Sequence, residues 1–312
     1  MQHGRLPGLD KDVSRLILGC DNKMNTEDGA PLWDAFLAAG GTAFDTAFVY
    51  GAGRCEEALG GWIKERRVAD DIAVVVKGAH TPFCDPDDLV WQLQSSLERL
   101  TISAADIYIM HRDNPEVPVS EFIDVLDAEA ATGMIKCFGA SNWTVERFQA
   151  ANDYAAANDK RGFCVLNNNL SLAHMVKPVW PGCISASDPA ALAYLTETNT
   201  AHFSWSSQAR GYFFAAEEAS QLPEGTEPEA CFDSPDNRTR RSRARELAAD
   251  LSVSAGQIAS AYVLNQPFPS YAVIGPRTIA QLEDTLAAAD LALSPQQVAW
   301  LDLRSDEKPA PS

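Results

Sequence analysis

Four side chains that could do acid–base chemistry stand at or just past the ends of short apolar runs. Asp45 lies in TAFDTA (42–47) and Tyr50 follows it by five residues; Lys77 closes IAVVVK (72–77), and His111 closes DIYIMH (106–111). A tyrosine titrates at about 10, too weak an acid for fast proton donation at neutral pH. A buried ammonium beside it is expected to stabilise the phenolate and lower that value, each pKa unit being worth ~1.4 kcal/mol. Asp45 would keep the lysine charged and oriented, and a neutral His111 would hydrogen-bond a substrate oxygen. Such a group is a proton donor next to a polarised carbonyl. No side chain supplies a hydride, so this chemistry requires a nicotinamide cofactor.

Each residue also has a plainer reading. A lysine can close a strand in solvent, a histidine after IYIM can be structural, Asp45 can cap a loop and Tyr50 can pack. Their convergence on one rim argues for function. Two other chemistries use the same residues. A Schiff-base aldolase would form an imine on Lys77. A hydrolase would need paired carboxylates, but Asp45 is the one acid at a strand end, with Asp113 nearby.

The elements that position these residues repeat one theme, an apolar run followed by an amphipathic stretch. The runs are LILGC (16–20), TAFDTA, IAVVVK, DIYIMH, KCFGAS (136–141), FCVLNN (163–168), HFSWSS (202–207) and AVIGP (272–276). Near-continuous apolar strands suit a buried parallel sheet. Helix signals lie between them: Pro31 opening PLWDAFLAAG with Gly40 ending it, and Asp85-Pro86 and Asp188-Pro189 before amphipathic stretches. Capping boxes are expected at Ser254/Gln257 and Thr278/Gln281. This alternation predicts an α/β fold, a (β/α)8 TIM barrel forming a single domain over 1–312. LILGC is followed by DNKMN and not by the glycine-rich turn of a doubly wound fold. The long loop after strand 7 begins RGYFFAAEEASQLPEGTEPEACFDSPDN; it reads as a lid, with a helix pair following.

A net charge of −18 disfavours nucleic acid and anionic membranes as partners. The seven scattered cysteines suit reduced thiols in a cytoplasmic protein and form neither a disulfide framework nor a metal knuckle. The N-terminus lacks the apolar stretch of a signal peptide, and no run approaches the ~20 residues that span a bilayer.

The motifs FDTAFVYGAGRCEEALG, VVVKGAH, DIYIMHRD, GMIKCFGASNW, SWSSQARGYF and AVIGPRTIAQLEDTL, in this order, resemble those of the aldo-keto reductases from about Leu16 to Asp302. The resemblance implies a catalytic tetrad of Asp45, Tyr50, Lys77 and His111. It also implies a nicotinamide whose carboxamide is held by Ser141 and Asn142, with Trp205 stacked on the ring where the family usually has Tyr. Asn167 replaces the usual strand-6 Gln and is one methylene shorter, which weakens that contact. The pyrophosphate would meet Ser206, Gln208 and Arg210, and the adenosine end would lie along Gly275, Arg277, Gln281 and Thr285. Arg277 is placed to meet a 2′-phosphate, which favours NADPH, with NADH as the alternative; Gln281 and Thr285 depart from a frequent Arg and Asn. A non-catalytic NADPH-binding redox sensor is a further reading within the family.

Substrate contacts are expected from Asn22, Phe48, His80, Arg112 and Trp143, with packing the plainer role for Phe48 and a solvated loop for His80 and Arg112. This largely polar set suits a small-molecule carbonyl substrate that is hydroxylated, a sugar aldehyde or ketose. With only the short tail SDEKPAPS after the last helical signal, the pocket is expected to be open or completed by another subunit. The basic run RTRRSRAR (238–245) reads as a helix face paired with local acids, or else as an interface in a homo-oligomer.

Overall fold

The computed structural model describes residues 1–214 and 225–309. Eight parallel strands follow the chain: β1 Leu16–Gly19, β2 Ala43–Ala47, β3 Ala73–Gly78, β4 Ala105–Met110, β5 Ile135–Ser141, β6 Val165–Asn167, β7 Ala201–Ser204 and β8 Ser270–Ile274. They form a closed barrel in the order β8-β1-β2-β3-β4-β5-β6-β7, as the alternation of apolar runs and helices predicts. A short antiparallel pair, His3–Gly4 with Val13–Ser14, precedes β1. The strands begin and end within three residues of the apolar runs.

The chain divides into two compact units, 3–167 and 168–312 together with Met1–Gln2. In the first, β1 to β6 alternate with long helices. Helix Thr26–Ala38 starts earlier than Pro31, because Asn25 caps it by accepting from the Asp28 N–H. Pro31 therefore sits inside the helix and does not open it. Gly40 follows the helix in the left-handed region, as expected of a terminator. Helix Pro86–Leu100 begins at the predicted Asp-Pro pair. Trp33, Phe36, Phe44 and Trp62 pack edge to face or tilted, with centroids 5.0–5.7 Å apart, and close the layer between β2 and its helices.

In the second unit, Asp188 caps helix Pro189–Thr198 and a complete capping box opens helix Ala255–Leu264. The predicted box at Thr278 is only half made. Thr278 accepts from the Gln281 N–H, but the Gln281 side chain accepts from the Arg277 N–H at 2.8 Å, one residue further back. The stretch read as a lid contains a 3-10 turn at Ala209–Gly211, helix Pro228–Phe232 and the start of helix Pro235–Leu251. Its centre, 215–224, lies outside the described residues, as does the end of the tail, 310–312. Among the described residues no single helix is long and apolar enough to cross a membrane.

The basic run sits on helix Pro235–Leu251 and is largely spent locally. Arg238 pairs with Asp233, Arg240 with Asp302, and Arg243 with Asp306 and the Trp300 and Ser305 carbonyls. Arg241 lies over the Tyr212 ring. These contacts follow the local-pairing expectation.

Candidate active site

Strand register explains why the acid–base residues meet. Side chains on one face recur every second residue. Lys77 pairs with Ile109 across β3 and β4, and His111 lies two residues beyond Ile109. Across β2 and β3, Ala47 pairs with Lys77, and Asp45 lies two residues before Ala47. Ile109 pairs with Gly139, two before Ser141, and Ser141 pairs with Asn167. One face of the sheet thus carries Asp45, Lys77, His111, Ser141 and Asn167.

Lys77 Nζ meets Asp45 Oδ1 at 2.5 Å and lies 5.1 Å from the Tyr50 ring centroid, where it interacts with the phenol hydroxyl. The Tyr50 and His111 rings stand edge to face at 5.6 Å. Tyr50 reaches this position from the turn Tyr50–Gly53, in which Gly51, Ala52 and Gly53 all have positive φ. Asp45, Tyr50, Lys77 and His111 are thus brought together, and all four belong to residues 3–167.

The electrostatics differ from expectation at one residue. Burial drives the Tyr50 phenol up to about 12; the Lys77 charge opposes that rise without reversing it. Tyr50 is therefore a protonated phenol at neutral pH, with Lys77 moderating what burial alone would impose. Lys77 itself ends above its ordinary value, because Asp45 and Tyr50 outweigh its burial. Burial leaves the Asp45 carboxyl above its ordinary value despite Lys77. Burial, aided by the Lys77 and Arg112 charges, holds the His111 imidazole well below its usual range. The ring is neutral, as expected.

Ser141 Oγ donates to the Asn167 carbonyl at 2.6 Å, and Asn142 Nδ2 donates to Ser141 Oγ at 3.0 Å. Asn142 holds a left-handed backbone, φ 60, a conformation that persists where surroundings over-determine it.

The substrate candidates separate. His80 packs edge to face on His111 at 5.0 Å and is half-buried. Phe48 is half-buried, with Trp91 at its edge and the Arg99 guanidinium over its ring. Asn22 is exposed between β1 and the following helix. Arg112 is buried, not a solvated loop residue, and donates to the His111 carbonyl. Trp143 is a correction. It is fully buried between Phe122 and Phe163 and donates its indole N–H to the Arg112 carbonyl, so it packs the unit and is out of a substrate's reach.

In residues 168–312 the cofactor candidates form a second group. Gln208 Nε2 donates to Ser260 Oγ at 3.0 Å and to Thr285 Oγ1 at 3.1 Å. Arg210, at φ 56, donates to the Thr226 carbonyl and hydroxyl and lies over the Trp180 ring. Trp180 is tilted against Trp205, whose indole nitrogen is buried without a hydrogen-bond partner among the described residues. Ser206 is also left-handed, at φ 48. Nothing among the described residues lies within 4 Å of a β-carbon built at Gly275. The Arg210 charge, an orphaned indole N–H and a bare backbone at Gly275 fit an anionic dinucleotide.

Two residues went unread in the sequence. Gln92 accepts from the Ala79 N–H and donates to the Phe83 carbonyl, pinning the end of β3. Its signal is a polar residue on the buried stripe of Leu89, Leu93 and Leu97. Trp180 has no periodic signal, lying between prolines in an irregular segment.

Residues 16–304 match the Aldo/keto reductase family. A versiconal hemiacetal acetate reductase from Aspergillus parasiticus is 22% identical over 97% of this chain and 96% of its own. The thermostable aldo-keto reductase Tm1743, solved with the inhibitor epalrestat, superposes with a TM-score of 0.77 at 21% identity, covering 98% of this chain and all of its own. An aldo/keto reductase from Klebsiella pneumoniae, solved with NADP and acetate, gives 0.72 at 20% identity over 94% and 92%. With its barrel topology and a match spanning nearly its whole length, this chain belongs to the aldo/keto reductase family.

Proposed function

We propose that the chain is an NADPH-dependent carbonyl reductase that converts an aldehyde or ketone to the alcohol, with Tyr50 as the general acid. The observation that carries this reading is the convergence of Tyr50, Lys77, Asp45 and His111 on one face. Bound NADPH would supply the hydride. The protein's own part is to present the Tyr50 proton to the carbonyl oxygen while the neutral His111 ring donates a hydrogen bond to that oxygen and fixes its direction. The Lys77 charge then stabilises the phenolate left behind, and Asp45 holds that charge in place. Ser141, Asn142 and Asn167 would hold the carboxamide, Trp205 the ring, Ser206, Gln208 and Arg210 the pyrophosphate, and Gly275, Arg277, Gln281 and Thr285 the adenosine end. Arg277 favours NADPH over NADH, and the Klebsiella protein was solved with NADP.

The loops beside Tyr50 and His80 expose Met24, Val49 and Phe83, and helix Pro86–Leu100 exposes Trp91 against Phe48. That apolar collar favours an aryl or alkyl carbonyl over the sugar expected from the polar candidates. The seven cysteines are all free thiols, which suits a cytoplasmic enzyme acting as a single-domain barrel.

A Schiff-base aldolase remains the second reading, and the same geometry weighs against it. An imine needs a neutral amine, whereas Lys77 is buried against Asp45 with its pKa raised. The test is titration with NADPH and NADH by fluorescence, followed by turnover on aryl aldehydes, sugar aldehydes and ketoses. Stoichiometric NADPH oxidation with alcohol as product supports reduction. Borohydride trapping of substrate on Lys77 without NADPH oxidation overturns it.

A further inference from the structure

We infer that Arg99 is a positioning residue for the proton donor: its guanidinium clamps the turn that carries Tyr50. The inference rests on Tyr50 being the acid.

Arg99 belongs to helix Pro86–Leu100, and its backbone carbonyl lies against Gly60, where a β-carbon would come within 2.2 Å of it. Its side chain runs beside helix Arg54–Arg66 toward that helix's N-terminus, and the guanidinium ends against Gly53. There it makes four contacts, all to the segment that brackets Tyr50. It donates to Glu56 Oε2 at 3.0 Å and lies 3.4 Å from the Phe48 carbonyl. Its flat face covers the Phe48 ring at 4.6 Å. A β-carbon on Gly53 would stand 2.6 Å from its central carbon, so only glycine admits it so closely.

The turn needs such a clamp. Gly51, Ala52 and Gly53 are left-handed in succession, at φ 56, 55 and 93, immediately after Tyr50. Ala52 pays a steric cost there, and a strained backbone persists only where its surroundings over-determine it. Helix Arg54–Arg66 fixes one end and β2 fixes the other. Between them, the Phe48 carbonyl and ring and the Gly53 α-carbon all rest on Arg99. Glu56 is fully buried, which holds the guanidinium in one orientation. One nitrogen, Nη1, serves both acceptors while the flat face of the guanidinium covers the Phe48 ring, and a lysine cannot reproduce that stacking.

The experiment compares wild type with Arg99→Met, Arg99→Lys, the double variant Arg99→Met/Glu56→Gln, and Tyr50→Phe. The last removes the acid itself. For each protein the NADPH Kd, kcat and KM on an aryl aldehyde, the solvent deuterium isotope effect on kcat, and the circular dichroism spectrum are measured. Arg99→Met should lower kcat by 10- to 100-fold, on the order of a loosened general acid. NADPH Kd should stay within about twofold and the isotope effect should rise, with Arg99→Lys falling between Arg99→Met and wild type. If Arg99→Met fails to fold because Glu56 is left unpaired, the double variant, which removes that buried charge, must show the same split. A folded variant with wild-type kcat overturns the inference, and so does an equal loss of kcat and NADPH affinity. Tyr50→Phe with wild-type turnover defeats the proposed acid itself; an inactive Tyr50→Phe beside an unaffected Arg99→Met defeats only the clamp.

Discussion

Lys77 Nζ meets Asp45 Oδ1 at 2.5 Å, and each side chain is only 4% exposed. Neither charge would survive such burial alone. Asp45→Asn is expected to destabilise the protein by ~3–5 kcal/mol in chemical denaturation, because it strands a buried ammonium. Asp45→Leu combined with Lys77→Met should cost clearly less than the two single changes added together. Additive losses would show that the pair is not energetically coupled.

Tyr50→Phe keeps the ring against His111 and removes only the hydroxyl. Carbonyl reduction should drop by at least ~10²-fold, the usual share of a general acid, while NADPH affinity stays nearly intact. Turnover at the wild-type rate would remove Tyr50 from the acid role.

Arg277 carries the case for NADPH. Arg277→Ala should weaken NADPH far more than NADH in fluorescence titration, by ~1.5–3 kcal/mol for a lost charge-assisted hydrogen bond. Equal weakening of both cofactors would mean that Arg277 does not read the 2′-phosphate.

His202 offers a pH test at a residue that takes no part in the proposed chemistry. It is fully buried in β7, and burial holds its imidazole down at about 3. The unfolded chain, with a histidine near pKa ~6.5, therefore binds a proton that the folded protein rejects. Protons favour unfolding: this contribution to stability is complete above about pH 7 and is lost as pH falls through ~6.5. His202→Leu should gain on wild type by up to ~1.4 kcal/mol per pH unit below about pH 6. Parallel stability curves for the two proteins between pH 4 and 7 would refute this account.

How much was readable in advance follows from which physics each residue depends on. Asp45, Lys77 and His111 could be read because a polar residue ending an apolar strand announces both its position and its face, and register does the rest. Ser141 and Asn167 follow by the same rule. Trp143 misled because a position two past a strand end looks like open loop, whereas here the chain turns it under Phe122 and Phe163. The Thr278 box slipped because Gln281 can reach either of two successive N–H groups, and one-residue choices of that kind leave no trace in spacing. The rise of the Tyr50 pKa was equally hidden, since the neighbouring Lys77 is visible in the motif while the depth of burial is not. Arg99 lies outside every motif; its role comes from helix packing against Gly53 and Gly60.

Gly275 differs from Gly53 in a useful way. Its φ is not in the left-handed region, and the surrounding described residues leave the space at its β-position empty. Folding therefore has no stake in whether that methyl group exists. An alanine at 275 would be silent to the protein and audible only to a guest lying against the backbone there, a one-carbon gauge of whatever molecule the chain was built to hold.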